Sequence, residues 1–97
     1  MKELKETVAL MTSADYKEIF AAEYYQLETR YLKLLAMCEK WDKGELNFTP
    51  TCSRRTYDGQ LLAMKCYLRT LIERAKTEDV VIAIDSEIEK LIPEMFK

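Results

Sequence analysis

Arg54 and Arg55 stand side by side where the chain turns helical after Ser53, and Trp41, Phe48 and Tyr57 lie close by in sequence. Guanidinium forks suit phosphate oxygens, and aromatic rings suit stacking on a nucleobase. The free backbone N–H groups of a helix start favour an anion at the same place. The helix dipole disfavours a cation there, so two arginines in a first turn require an anion or a carboxylate partner. Lys40 and Lys43 add positive charge around the same point. The competing assignment makes Trp41, Phe48 and Tyr57 the apolar plug of a helical turn and leaves the arginines solvated.

A second set, Tyr25, Arg30, Lys65, Tyr67 and Arg69, falls on the flanks of two helices. Between two copies packed side by side, this strip would line a groove. Within one copy it reads as ordinary pairing along a helix, Gln26 with Arg30 for example.

Catalytic chemistry is thin. The chain has no histidine, which removes Ser/His and Cys/His nucleophile pairs and the commonest zinc ligand. Cys38, Cys52 and Cys66 are far apart and show no C-x-x-C spacing. Cys38 fits a core position, and Cys52 lies at a helix start, where a thiol can become more acidic. Neither a phosphate-cradling glycine loop nor a dinucleotide fingerprint occurs. Glu23, Glu28 and Glu39 fall on the solvent side of a heptad and read as a solvated face. No catalytic residue, metal site or cofactor is expected, and the chain reads as a binding protein rather than an enzyme.

Two stripes at alternating steps of four and three must position these side chains. Phe20, Tyr24, Leu27, Tyr31, Leu34, Cys38 and Trp41 form the first, and Tyr57, Leu61, Met64, Leu68, Leu71 and Ala75 form the second. The spacing predicts an all-α fold: a long antiparallel hairpin with helices over about 14–42 and 53–77. Thr12 or Ser13 is expected to cap the first helix, with Asp15 in its first turn and Gly44 as its stop. Pro50 keeps Thr49 out of the helical region before the second helix. Gly59, inside that helix, costs on the order of 1 kcal/mol against alanine. It marks either the close approach of another group or a plain weak spot.

Residues 1–12 read as an N-terminal extension, 14–78 as the hairpin core and 79–97 as a C-terminal segment, all in a single domain spanning 1–97. In that last segment Val80–Ile84 suits a strand, yet Val81, Ile84, Ile88, Leu91 and Met95 keep helical spacing. A third helix is expected, with a capping box from Ser86 to Glu89 and Pro93 near its end. Tyr25, Leu32, Leu35, Leu62, Tyr67 and Ile72 flank the stripes and exceed what one hairpin buries, so a homo-oligomer is expected.

Composition narrows the partners. With 15 basic and 17 acidic residues the chain is nearly neutral, which argues against binding to nucleic acid through phosphates. No apolar run approaches the roughly 20 residues that span a bilayer, and the N-terminus lacks the apolar core of a signal peptide. A cytoplasmic location is expected.

The pattern E-Y-x-x-L-x-x-R-x-x-K-L, here Glu23, Tyr24, Leu27, Arg30, Lys33 and Leu34, is followed by Q-L-x-x-M-x-x-Y-L-x-x-L-x-x-R. The second runs through Gln60, Leu61, Met64, Tyr67, Leu68, Leu71 and Arg74. Over about residues 14–78 the chain resembles small phage and prophage proteins related to a crAss-like phage protein of unknown function. The resemblance implies a phage origin, a bacterial host cytoplasm and action against host defences. One such strategy uses compact helical oligomers to sequester cyclic oligonucleotide or ADP-ribose-type immune signals. Size, origin, helicity and aromatic–arginine content carry that analogy. The alternative is a module that binds a host or phage protein through an apolar helical face.

Overall fold

The two stripes close on each other. The computed structural model describes residues 2–96. Helix α1 (Val8–Met11) follows a 3-10 turn at Leu4–Thr7, and the long helices α2 (Tyr16–Asp42) and α3 (Arg54–Thr77) form the hairpin. The short helix α4 (Ser86–Leu91) is followed by a 3-10 turn at Pro93–Phe96. No strand occurs among the described residues. The fold is all-α, as the periodicity predicts.

Helix boundaries follow local chemistry. Asp15, rather than Thr12 or Ser13, caps α2, its carboxylate accepting from Lys17 N–H at 2.9 Å. A carboxylate at the positive end of the dipole gains charge as well as a hydrogen bond, which a hydroxyl does not. Ser13 instead accepts from the Asp15 N–H at 3.0 Å. The other end of α2 stops where expected. Gly44 takes φ +71°, its N–H donates to Trp41 and the Glu45 N–H donates to Lys40 at 2.9 Å, closing a Schellman motif. Ser53 caps α3 by accepting from the Thr56 N–H.

α3 ends in the same motif without a glycine. Asp79 takes φ 58° while the Val80 N–H donates to Ala75 at 2.8 Å. A non-glycine residue pays a steric cost in this left-handed region. Asp79→Gly is therefore expected to stabilise the chain by about 0.5–1 kcal/mol, measurable by urea denaturation.

The third helix is shorter than the spacing suggests. Residues 80–84 form neither helix nor strand, with Val80 buried and Val81 91% exposed. No strand pairs with this run. Side chains of α2 hold it instead: Tyr25 Oη accepts from the Ala83 N–H at 2.8 Å, and Glu28 Oε2 accepts from the Asp85 N–H at 3.1 Å. The helix then begins at Ser86, capped by Asp85, which accepts from the Glu87 N–H at 2.9 Å. The expected Ser86 box is thus displaced by one residue, again in favour of a carboxylate.

These contacts bury Glu28, which is 1% exposed rather than solvated. Its Oε2 also accepts from the Tyr24 hydroxyl at 2.7 Å. The N-terminal segment covers a neighbouring side. Thr29 donates to the Lys2 carbonyl, and Gln26 donates to Thr7 Oγ1 at 3.0 Å. A third layer therefore wraps the open end of the hairpin and absorbs part of the apolar excess. Tyr25 and Ile72 are buried and Leu32 and Leu35 half-buried, but Leu62 and Tyr67 stay exposed. Towards the tip the hairpin is only two helices thick: Leu68, Leu71 and Ala75 are buried, whereas Tyr57, Leu61 and Met64 are half-buried.

An exposed cluster ties the start of α2 to the end of α3. The Tyr16 hydroxyl donates to Glu78, and Arg74 donates to Glu78 at 3.0 Å and to Tyr16 Oη at 3.0 Å. The Tyr16 bond, and then Arg74, hold the Glu78 carboxyl below its ordinary value of 4.5. Its charged form is favoured by folding, so its contribution is present above pH 4.5 and fades as pH falls through the lowered value. Melting temperature should be level above about pH 4.5 and decline as pH falls from there through the lowered value, and Tyr16→Phe should shrink the decline.

Candidate ligand site at the hairpin tip

The Schellman turn at Gly44 sends the chain back along α2 before it crosses to α3. Two distinct faces result. On the side facing α3, Trp41 and Tyr57 meet edge to face with ring centroids 5.8 Å apart. The Arg54 guanidinium lies 5.8 Å from the Trp41 ring, pairs with Asp42 and reaches Asp58 at 3.1 Å. Asp42 holds Arg54 more firmly protonated than usual. The cation that the dipole disfavours is thus balanced by two carboxylates, and Trp41, Tyr57 and Arg54 together plug the tip.

On the other face, residues 45–48 fold over α2 and enclose an open cleft of about 350 Å³. Ala36, Met37 and Leu46 supply apolar lining, Lys33 and Lys40 supply two ammonium groups, and Glu45, Asn47 and Phe48 complete the wall. Lys33 has a distant partner in Glu3 at 3.7 Å, with both side chains 54% exposed, a pair weakened by solvent. Lys40 has no ion pair among the described residues. Phe48 is 52% exposed, so its ring is available for stacking. The ammoniums suit phosphate oxygens, Glu45 accepts from hydroxyl or amino groups, and the Asn47 amide can do both. Such a mixture of apolar wall and few polar groups is typical of small-molecule sites.

Of the residues singled out in the sequence, Phe48 and Lys40 line this cleft. Trp41, Arg54 and Tyr57 form the plug behind it, and Arg55 is exposed on α3. The second set is dispersed. Tyr25 is 8% exposed with its hydroxyl committed to Ala83, Tyr67 donates to Glu23, Arg69 pairs with Glu94 at 2.8 Å, and Arg30 is exposed. Lys33 belongs to the sequence pattern quoted above but shows no binding role there. Its spacing of seven from Lys40, two turns of one helix face, is the one signal that could have paired them.

Among the described residues, no group of three or more His, Cys, Asp and Glu side chains could hold a metal ion. Among the described residues, no helix is long and apolar enough to cross a membrane. The hairpin residues 14–77, which include the floor and walls of this cleft, match the sequence model of a family described as Sequestin. The chain belongs to the Sequestin family. The match runs from just before the α2 cap to the last residue of α3, so it covers the hairpin and its connection. A Sequestin by name is a protein that holds a partner, which fits a binding role rather than catalysis. No curated protein and no solved structure matches the chain.

Proposed function

We propose that this Sequestin binds and sequesters a nucleotide immune signal, of the cyclic oligonucleotide or ADP-ribose type, in the tip cleft. The supporting observation is the cleft itself, where Lys33, Lys40 and Phe48 stand beside Glu45 and Asn47 around an apolar floor. The phosphate would lie between the two ammoniums and the base against Phe48, with Glu45 or Asn47 accepting from ribose hydroxyls. Trp41, Arg54 and Tyr57 keep the turn rigid behind it, so the wall residues are held in place before binding. A phage-derived protein acting in a bacterial host would use such binding to keep the signal from its effector.

A thermal-shift screen of cyclic dinucleotides and ADP-ribose derivatives tests this reading, because a ligand that binds only the folded chain raises its melting temperature. Stabilisation by none of them would reject it. The second reading, docking of a protein on an apolar helical face, draws on Val8, Met11 and Ile19, each 42–50% exposed near the open end. It takes precedence if no nucleotide stabilises the chain.

A further inference from the structure

The face of α3 turned away from α2 carries Arg55, Gly59, Leu62, Cys66, Arg69 and Glu73, again at steps of four and three. All six are exposed, Leu62 by 64%. Gly59 has nothing within 4 Å of where a Cβ would stand, so no contact inside the chain explains a glycine in the second turn of α3. Arg55 and Glu73 have no ion pair among the described residues, although Arg54, Arg69 and Arg74 all do.

We propose that this stripe is the contact between two copies of the chain, with their α3 helices packed antiparallel about a two-fold axis. The charge order selects the partner and the direction. An antiparallel copy that sets Arg55 against Glu73 of the second copy repeats the same ion pair at the other end, about 27 Å away along the helix. In that register Leu62 meets Cys66 of the second copy, so the two apolar side chains of the stripe cover each other. Gly59 meets Arg69, whose guanidinium is already drawn aside to Glu94 at 2.8 Å. A parallel copy would instead stack arginine on arginine and glutamate on glutamate. Glycine and cysteine let the helices approach to the near end of the usual 8–10 Å separation. The proposal does not depend on the tip cleft or on its ligand.

Sedimentation equilibrium of the full chain, read against a single-copy mass of 11.4 kDa, tests this directly. A dimer is expected at tens of micromolar. Arg55→Glu alone and Glu73→Arg alone should each weaken it about tenfold or more, because symmetry places two like-charge contacts in every variant dimer. The double variant, which restores opposite charges in reversed order, should regain dimerisation. Gly59→Leu should raise helix stability at high dilution yet abolish the dimer, a combination that a merely local role for Gly59 would not give. A single-copy mass at every concentration overturns the proposal. So does a dimer that neither charge reversal weakens, or one that the double variant fails to restore, since association would then use another surface.

Discussion

Replacing Glu28 with alanine is expected to destabilise the chain by about 2–3 kcal/mol and to lower its melting temperature by roughly 10–20 °C for a domain of this size. The carboxyl group is 1% exposed and accepts from both the Tyr24 hydroxyl and the Asp85 N–H. Removal orphans two donors at once, one deep in the hairpin and one in the segment leading to α4. Their desolvation, more than the lost bonds, sets the size of the effect. Glu28→Gln keeps an acceptor oxygen in place and should cost clearly less. Tyr24→Phe removes one bond while leaving Glu28 with Asp85, and is expected to cost about 1 kcal/mol. Burial pushes the Tyr24 phenol well above its ordinary value of 10.0, followed by its bond to Glu28, so it remains the donor throughout the neutral range. Thermal melts by circular dichroism read all three variants. A drop of only a degree or two for Glu28→Ala would mean that water reaches the site and that the segment leading to α4 is not pinned by it.

Glu28 also shows where reading the sequence stops. The facing stripes were legible because Phe20, Tyr24, Leu68 and Leu71 repeat at the helix period and lie in the core they imply. Gly44 and Ser53 were legible as boundaries because their chemistry is local. Glu28 lies off the stripe, and a two-helix count places that position in water. The fold-back of residues 80–85 covers it, and periodicity within α2 holds no trace of a segment more than fifty positions away. Side-chain acceptors rather than a partner strand hold residues 80–85, so Val80–Ile84 carried a strand-like composition without forming a sheet. The tip follows the same logic. Arg54 was legible as a cation needing a counter-charge, but Asp42, across the turn, supplies it. Lys33 was hidden because nothing local says that residues 45–48 return along α2 rather than along α3.

That division of the tip gives the ligand prediction its form. Lys33→Ala and Lys40→Ala should each weaken binding of a stabilising nucleotide by about ten- to a hundredfold, the worth of one charge-assisted contact. Both side chains are exposed, so the fold should survive, and unchanged circular dichroism would establish that. Phe48→Ala should weaken nucleotides with a base more than inorganic phosphate or pyrophosphate, because it removes a stacking surface and no charge. Losses from the lysine variants should shrink as salt is raised, whereas the Phe48 loss should persist, because ionic screening acts on charge and not on stacking. Arg54→Ala acts differently: it frees Asp42 and Asp58 and loosens the plug, so it should lower melting temperature as well as affinity. Titration calorimetry on the four variants separates these outcomes. If Arg54→Ala abolishes binding at unchanged stability while the lysine variants bind as the parent does, the ligand contacts the plug face and the cleft assignment is wrong.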